Sequence, residues 1–340
     1  MAHPEPAFAS WLRRGKPAKP WRLAYLARVL RVYVHRRSGP LSFWYEQPEV
    51  NEQAFGGVEY FMRFAGKARY KSPFDAAGIP LLDYQGDIGR QHNPIAIAQY
   101  GLARFNRWST TRAEDDRAAW TGAADWLARA LRKNSHGVRV WMHDFDWPYR
   151  QLLRAPWYSG LAQGNGVSLL VRAAKATGEA AYADAAHAAF ESLLRPVSDG
   201  GVLVTDDRGD VWIEEYLVDP PSHILNGFIW AVWGVYDYAQ WSGSPEASQL
   251  WTRCVGTLQR RLCEFDTGWW SLYETRDGSR EMLASRYYHT LHITQLQVMH
   301  RLTGIDVFAD AAARFQSYLD RPSNRAQAFA RKAIFKLRHY

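Results

Sequence analysis

The chain has 340 residues, of which 47% are hydrophobic and 22% are charged, an ordinary composition for a folded globular protein. This composition excludes a disordered chain, a coiled coil and a small disulfide scaffold, and no apolar run reaches the ~18 residues of a membrane span. The net charge of +8 divides into +8 in residues 1–40, +6 in residues 321–340 and −6 between them, which argues against a folded nucleic-acid-binding face.

The first 40 residues predict a basic arm that contains a short helix. Leu26, Leu30 and Val34 recur at helical spacing with arginines between them. The arginines interrupt the apolar stretch that a secretory signal needs, so we expect a cytoplasmic protein. The two basic ends, residues 1–40 and the tail 321–340, are expected to be solvated or to contact an anionic membrane surface.

Residues 41–92 predict a region rich in β-hairpins. The aromatic, β-favouring runs 43–45 and 58–62 are separated by Gly56-Gly57, a pattern that predicts a strand pair. An irregular arm is expected to follow through Gly86.

Residues 93–320 predict a catalytic domain built from paired helices. Apolar residues recur at helical spacing at about 94–105, 112–133, 160–177, 180–194, 222–240, 245–265, 288–302 and 306–319. Two β-hairpins interrupt them, 201–204 with 211–213 and 269–273 with 282–284. Short joints between the helices predict a mainly α fold, an incomplete (α/α) toroid with inserted β-hairpins and a short β-rich N-terminal region.

The cysteines and histidines predict no metal centre. Cys254 and Cys263 are nine residues apart without a CxxC pair, which favours reduced thiols over a zinc site. His289 and His292 share a helix face, but no carboxylate lies nearby in sequence to complete a site. We therefore expect both histidines to be structural or to face a substrate.

Two polar clusters are ambiguous from their residues alone. Glu214 and Glu215 follow a predicted strand, where neighbours point to opposite faces, and a surface acid pair is the simplest interpretation. Tyr273, Arg276 and residues 286–288 fit a rim of stacked aromatic and arginine side chains.

Five motifs follow one another along the chain: HNPIAIAQYGL at 92–102, WYSGLAQG at 157–164, WIEEY at 212–216, SHILNGF at 222–228 and YHTLHITQL at 288–296. In order and spacing they resemble the D-glucuronyl C5-epimerase family, which acts on heparosan-type glycosaminoglycans. The resemblance covers about residues 78–320 and is strongest for the family's C-terminal helical domain. It implies an (α/α) toroid that pairs as a homodimer, with residues 41–90 as a reduced version of the family's N-terminal β-domain.

The resemblance also implies roles for residues within these motifs. Glu215 and Tyr216 match the acid/base pair, and Tyr288 matches the tyrosine that works on the opposite face of the sugar. The implied substrate-binding residues are Tyr273 and Arg276, which match groups that hold the uronate carboxylate, together with Asn226, Tyr158, Gln163, Gln99, His289 and His292.

Two positions depart from the family pattern. Leu217 replaces a proline after the Glu-Glu-Tyr motif, and Tyr287 replaces an aspartate before the matched tyrosine. The first change puts the conformation of that loop in question, and the second puts the bound sugar ring in question.

The chemistry of C5 epimerisation fits this set of residues. D-glucuronate becomes L-iduronate when a proton leaves C5 and another returns on the opposite face, which requires two acid/base groups. The enediolate intermediate needs a cation or strong donors, a role for Arg276 and Tyr273. A phenol has a pKa of ~10, so a tyrosine base requires a cationic neighbour or a proton relay. No redox cofactor is needed, and a structural Ca²⁺ ion is left open.

Three other interpretations stay open. A polysaccharide lyase begins with the same proton abstraction but then expels the substituent at O4. A non-catalytic toroid could bind acidic glycans. A hydrolase would need two carboxylates across the scissile bond, and Asp83, Asp87 and Glu215 are scattered in sequence, so it ranks last. The negative body of the chain favours a sparsely charged uronan over a heavily sulfated one.

Overall fold

The fold was analysed in a computed structural model, which describes residues 43–84, 88–275 and 281–339. The predicted N-terminal arm, Arg276 and the turn of the second predicted hairpin lie outside the described residues. The helices are α1 (Ala65–Ala68), α2 (Pro94–Thr111), α3 (Glu114–Ala130), α4 (Gly160–Thr177), α5 (Ala180–Leu194), α6 (Leu225–Ser242), α7 (Pro245–Arg261), α8 (Arg286–Thr303), α9 (Asp306–Asp320) and α10 (Pro322–His339).

The strands are short and pair only in twos. They are β1 (Leu81–Asp83), β2 (Arg90–His92), β3 (Arg132–Lys133), β4 (Arg139–Val140), β5 (Met142–His143), β6 (Trp147–Pro148), β7 (Leu152–Leu153), β8 (Trp157–Tyr158), β9 (Leu203–Thr205) and β10 (Val211–Ile213). The antiparallel pairs are β1/β2, β3/β4, β5/β8, β6/β7 and β9/β10. Within the described residues, three 3₁₀ turns, Glu52–Phe55, Val197–Asp199 and Leu262–Phe265, complete the elements.

Four helix hairpins, α2/α3, α4/α5, α6/α7 and α8/α9, form two concentric rows. The inner helices α2, α4, α6 and α8 pack in series, while α3, α5 and α7 pack outside them. Inner helices are covered on several sides, which is why α4 and α6 are buried over nearly their whole length. This arrangement confirms the predicted mainly α fold, an incomplete (α/α) toroid.

The helix limits agree with the sequence analysis because their end signals are strong. Asn93 accepts hydrogen bonds from the backbone N–H groups of Ile95 and Ala96 and so caps α2. Gly178 ends α4 in the left-handed conformation, at φ +74°. The limits 180–194 predicted for α5 are those found.

The strand pair predicted between 43–45 and 58–62 is wrong. Only one isolated bridge, Val50 with Met62, forms there. Instead, the Tyr60 ring stacks on Trp230 of α6 with a centroid distance of 6.2 Å. Arg172 of α4 donates to the carbonyl oxygens of residues 58 and 59, each at 3.1 Å. The aromatic run is therefore a loop that fills the interior of the toroid.

The other β predictions have mixed outcomes. The hairpin β9/β10 is confirmed, with Trp212 opposite Val204. The second predicted hairpin is reduced to isolated bridges, among them Leu272 with Leu283. The three strand pairs between 132 and 158 were not predicted.

Residues 321–340, predicted as a tail, contain α10, which packs on α8 and α9.

The remaining sequence expectations concern thiols, metals and membranes. Cys254 is buried and Cys263 is exposed, and both are free thiols as predicted. Within the described ranges no group of three or more His, Cys, Asp or Glu side chains could hold a metal ion. Among the described helices, none is long and apolar enough to cross a bilayer.

The contact between α4 and α6 depends on two glycines. A Cβ atom on Gly164 would lie 2.4 Å from the Cα of Ala231, and one on Gly234 would lie 2.3 Å from the carbonyl oxygen of Gly164. Both obstacles are backbone atoms, so the helices would have to separate. Gly164 and Gly234 therefore set the spacing of the inner row.

We predict that Gly164→Ala lowers the free energy of unfolding by about 1–3 kcal/mol, because overpacking at this contact outweighs the helix propensity of alanine. The measurement is chemical denaturation. Gly122→Ala in α3 is the matched control, since its Cβ would meet only the Ile79 side chain at 3.8 Å, and we expect it to be neutral or stabilising. Equal stability of the two variants would contradict the proposed spacing role.

Candidate active site

The N-terminal turns of the four inner helices meet at one cavity of about 340 Å³. Asn93 at the start of α2, Leu161 of α4, Asn226 of α6 and Tyr288 of α8 all line it. A helix N-terminus carries partial positive charge, so four of them favour a bound anion or developing negative charge. The cavity is thus suited to a carboxylate-bearing ligand.

Aromatic side chains are the largest group in the cavity wall. They are Trp44, Tyr45, Tyr84, Phe145, Trp147, Trp157, Tyr216, Trp230, Tyr287 and Tyr288. A largely apolar wall with a few polar groups is typical of a small-molecule site. Among the described lining residues the ionisable side chains other than tyrosine are Asp83, His143 and Glu215, and none is a lysine or arginine.

The two adjacent glutamates are buried and point to different places. Strand β10 ends at Ile213, so both residues lie beyond the strand. Glu214 is 1% exposed, and its carboxylate accepts the backbone N–H groups of Ser222 at 3.3 Å and His223 at 3.1 Å. Glu215 is 5% exposed and lines the cavity. The interpretation of Glu214 and Glu215 as a surface acid pair is therefore wrong, because the toroid encloses this loop.

Glycines at the starts of two inner helices make room for the segment 213–215. The Gly160 N–H of α4 donates to the Glu214 carbonyl oxygen at 2.8 Å. A Cβ atom on Gly227 of α6 would lie 2.2 Å from Oε2 of Glu215. The carboxyl group thus lies directly against the first turn of α6.

Burial raises the pKa of Glu215 from its ordinary value of 4.5 to about 8. A hydrogen bond with Tyr216 lowers this pKa, whereas the charges of Glu214 and Glu274 raise it further. Oε2 has no hydrogen-bond partner among the described residues. A carboxyl group that titrates near neutral pH in a cavity has the property required of a general base.

The neighbouring tyrosines are kept protonated. Burial raises the pKa of Tyr216, Tyr273 and Tyr288 well above the usual value of 10. The Tyr273 and Tyr288 rings meet edge-on with centroids 4.8 Å apart. Each phenol is therefore a hydrogen-bond and proton donor at neutral pH.

Among the described residues, Lys332 is a cation at the edge of this cluster: its Nζ atom lies 5.9 Å from the centroid of the Tyr273 ring. Arg150 pairs with Glu274 at 3.1 Å, and the Tyr149 hydroxyl donates to the same carboxylate. Arg276 lies outside the described residues. The electrostatics of the described site thus favour a carboxylate base with a phenol acid.

The structure brings together most of the residues predicted for the site. Glu215, Tyr216, Tyr288, Asn226 and Gln99 line the cavity, and Tyr273 packs behind Tyr288. Gln99 donates to the Asn165 side chain at 2.9 Å, and the Asn226 Oδ1 atom has no hydrogen-bond partner among the described residues.

Two predicted substrate-binding residues lie away from the cavity lining. Tyr158 neighbours Trp157 on β8, and since successive strand residues face opposite sides, Trp157 lines the cavity while Tyr158 packs on the core. Gln163 is fully buried and bonds to the backbone of Trp141, accepting its N–H at 3.2 Å and donating to its carbonyl oxygen at 3.3 Å. Neither residue lines the cavity in this structure.

His289 and His292 also lie away from the cavity lining, a placement that fits the structural alternative. Both are fully buried and hydrogen bond to the Ser271 hydroxyl, at 2.8 and 2.9 Å. His289 also bonds through Nε2 to the Phe315 carbonyl oxygen at 2.9 Å. They join α8 to the 266–272 loop and to α9.

The sequence analysis missed the wall formed by the insert between α3 and α4. His143, Phe145, Trp147 and Trp157 of this insert line the cavity. The available signal was the aromatic density of residues 141–149, which includes two tryptophans, a phenylalanine and a tyrosine. Without a clear period, this segment gave no prediction of an element.

The fold and the cavity define an (α/α) toroid protein with an acid/base site at the N-terminal ends of its inner helices. The sequence model of the family described as "D-glucuronyl C5-epimerase C-terminus" matches residues 133–317, more than half of the chain. The chain belongs to this family.

Two curated relatives share this region. A D-glucuronyl C5-epimerase of Caenorhabditis elegans is 31% identical over 240 residues, 66% of this chain and 38% of that protein. An uncharacterised protein of Methanocaldococcus jannaschii is 28% identical over 172 residues, 50% of this chain and 54% of that protein. The chain therefore spans less than two thirds of either relative's length.

Two solved structures show a distant likeness. An unsaturated glucuronyl hydrolase from Bacillus sp. GL1 has 17% identity and a TM-score of 0.44, over 66% of this chain and 61% of that chain. A family 76 glycoside hydrolase (mannosidase) from Bacteroides thetaiotaomicron has 11% identity and a TM-score of 0.45, over 68% and 60%. The fold assignment rests on the helix packing described above.

The raised pKa of Glu215 predicts how stability changes with pH. The folded state holds a proton that the unfolded state releases near pH 4.5. The free energy of unfolding contributed by Glu215 therefore falls as the pH rises from 4.5 to about 8. We expect Glu215→Gln to remove this loss and to raise the melting temperature relative to the parent above pH 8. Calorimetry of both proteins across this pH range is the measurement.

The control is Glu214→Gln, which should lower the melting temperature across the same range because it weakens the acceptor for residues 222 and 223. Parallel pH profiles for the parent and Glu215→Gln would contradict the raised pKa.

Proposed function

We propose that the chain converts D-glucuronate residues to L-iduronate in a uronic-acid-containing glycan by epimerisation at C5. The observation that carries this proposal is a buried carboxyl group that titrates near neutral pH, Glu215, in the same cavity as a buried, protonated phenol, Tyr288. Epimerisation needs one group to remove the C5 proton and another to return a proton on the opposite face.

Glu215 is the base in this proposal. Its carboxylate form is accessible near neutral pH, whereas burial keeps Tyr216 protonated. The Tyr216 side chain lowers the pKa of Glu215, so in this proposal it is the neighbour that favours the carboxylate form. The proton at C5 passes to Glu215, and the electron pair of the C–H bond moves into the uronate carboxyl group to form the enediolate.

Tyr288 is the acid that returns a proton to C5. It is the third residue of α8, and its backbone N–H donates to the N-cap Ser285 hydroxyl at 3.3 Å. The partial positive charge at this helix end stabilises the phenolate that forms. Proton exchange with solvent then restores Glu215 and Tyr288 for the next turnover.

The enediolate carries additional negative charge on the carboxyl oxygens. The helix N-termini around the cavity offer partial positive charge for it, and Tyr273 is a phenol next to Tyr288. Arg276 keeps its proposed role as the cation that holds the carboxylate. The reaction moves only protons, so the proposal includes no redox cofactor.

The setting of the reaction extends the proposal. We also propose that the protein forms a homodimer, that it is cytoplasmic and that its basic ends contact anionic lipid. All three stay predictions. A structural Ca²⁺ ion is likewise untested. A sparsely charged uronan is the proposed substrate, since the residues between the two basic ends carry a net charge of −6.

We predict that incubation with heparosan in D₂O places deuterium at C5 without producing unsaturated uronate. Deuterium at C5 is expected because the returning proton comes from a solvent-exchanged group. Nuclear magnetic resonance measures C5 deuterium, and ultraviolet absorbance measures unsaturated uronate. Rising absorbance would indicate a lyase, and new reducing ends would indicate a hydrolase; either would contradict the proposal.

The C5 deuterium assay also tests Tyr288 as the general acid. We expect Tyr288→Phe to lower kcat/KM by about 10²–10⁴-fold, the range for loss of a general acid, with the melting temperature nearly unchanged. Tyr182→Phe is the control, since this tyrosine bonds to Asp125 on the outer helices and should retain full activity. Full activity of Tyr288→Phe would contradict its role.

The pH dependence of kcat/KM tests the base. Because the base must be deprotonated and its pKa is about 8, we predict a rate that rises with pH and levels off above about pH 8. Initial rates across this range, followed by C5 deuterium, provide the measurement. A rate that is already constant from about pH 5 would contradict Glu215 as the base.

A further inference from the structure

A buried histidine in the cavity wall has no role in the chemistry proposed above. His143 lies on β5, directly opposite Trp157 of β8. The two rings stack with a centroid distance of 4.0 Å and an interplanar angle of 15°. Both residues line the cavity. The β5/β8 pair thus places an imidazole within an otherwise aromatic wall.

The polar atoms of this imidazole are unsatisfied. His143 is 0% exposed, and neither Nδ1 nor Nε2 has a hydrogen-bond partner among the described residues. Burial lowers the pKa of His143 to about 3, so the ring is neutral at physiological pH. A neutral imidazole offers one donor and one acceptor. Leaving both unpaired in a buried position is costly, which indicates that a bound group pairs with them.

The surroundings of His143 are apolar rings. Phe145 meets the imidazole edge-on at 5.7 Å, and Tyr84 lies 4.9 Å from Phe145 and 5.7 Å from Trp147. Flat apolar rings contact the C–H faces of a pyranose, and isolated polar groups among them fix its orientation. This part of the wall is defined here as the aromatic subsite: Tyr84, His143, Phe145, Trp147 and Trp157.

The hydrogen-bonding capacity of His143 selects the kind of group it binds. A sugar hydroxyl both donates and accepts, so hydroxyl groups satisfy both sides of a neutral imidazole. A carboxylate or sulfate only accepts, so it would leave the acceptor nitrogen unpaired. The match is therefore to sugar hydroxyl groups, and because the described cavity lining contains no lysine or arginine, an uncharged sugar fits this part of the wall better than an anionic one.

We propose that the aromatic subsite binds an uncharged sugar residue adjacent to the reacting uronate, and that His143 hydrogen bonds to its hydroxyl groups. This inference rests on the proposed function, because it assumes that the cavity holds a uronate-containing glycan. It adds a specificity-determining residue outside the Glu215–Tyr288 chemistry.

The test compares two ligands in a Glu215→Gln background, which prevents turnover. The probes are a heparosan tetrasaccharide, which alternates glucuronate with an uncharged amino sugar, and free D-glucuronate. His143→Phe keeps a flat ring against Trp157 but removes both hydrogen-bonding nitrogens. We expect it to weaken tetrasaccharide binding by about 10- to 100-fold, the effect of lost hydrogen bonds, and to leave D-glucuronate binding unchanged. Calorimetry and NMR titration measure the two affinities.

Controls separate binding from folding. His187→Phe is matched in chemistry, since its imidazole on the outer helix α5 bonds to Tyr238 of α6 and neither residue lines the cavity, and it should not change either affinity. If His143→Phe does not fold, His143→Gln retains a donor and an acceptor and should keep most of the tetrasaccharide affinity. The ratio of parent to His143→Phe affinities should be the same at about pH 6 and pH 8, because the imidazole stays neutral.

The possible outcomes distinguish a failure of the aromatic subsite from a failure of the proposed epimerase function. If the Glu215→Gln protein binds neither probe, the proposed function is contradicted, and this inference with it. If it binds the tetrasaccharide equally well with and without His143, only the aromatic subsite is overturned. An equal loss of affinity for both probes would place His143 at the reacting uronate and would also overturn the subsite.

Discussion

The burial of the Glu215 carboxyl group against the first turn of α6 is the constraint on which the site depends. A carboxyl group removed from water holds its proton to a much higher pH than one on the surface. Here that effect gives a pKa of about 8. The position is available because Gly227 has no side chain where the carboxyl group lies.

The rest of the toroid keeps this unfavourable arrangement in place. Glu214 accepts the backbone N–H groups of the 222–223 loop, so one acid of the pair anchors the segment while the other faces the cavity. The close approach of α4 and α6 at Gly164 and Gly234 holds their N-terminal turns beside this segment. A stable helical frame thus supports a destabilised functional group, as is usual where function requires a shifted pKa.

Much of the frame could be predicted from the sequence, because the signals are local. Periodicity and end residues such as Gly178 predicted the inner and outer helices within a few residues. Tyr60 was assigned to a strand because β-favouring aromatic runs look alike whether they pair with a strand or pack on helices. Tertiary contacts decide whether such a run pairs with a strand or packs on helices.

The candidate site was predicted in part, through the resemblance of its motifs to a family. Glu215, Tyr216 and Tyr288 meet at one cavity although 72 residues separate the last two in sequence. His289 shares a motif with Tyr288 but faces the core, because neighbours on a helix point in different directions. His143 was not predicted, since its burial and lack of partners are visible only once β5 and β8 pair.

The most direct test of this account is a titration of the Glu215 carboxyl group itself. Carbon-13 NMR of glutamate-labelled protein, with Glu215→Gln to assign the resonance, gives its pKa without any substrate. The account predicts a midpoint of about 8. A midpoint near the ordinary value of 4.5 would contradict it, because Glu215 would then be a permanently charged residue and the desolvated base at the centre of the site would not exist.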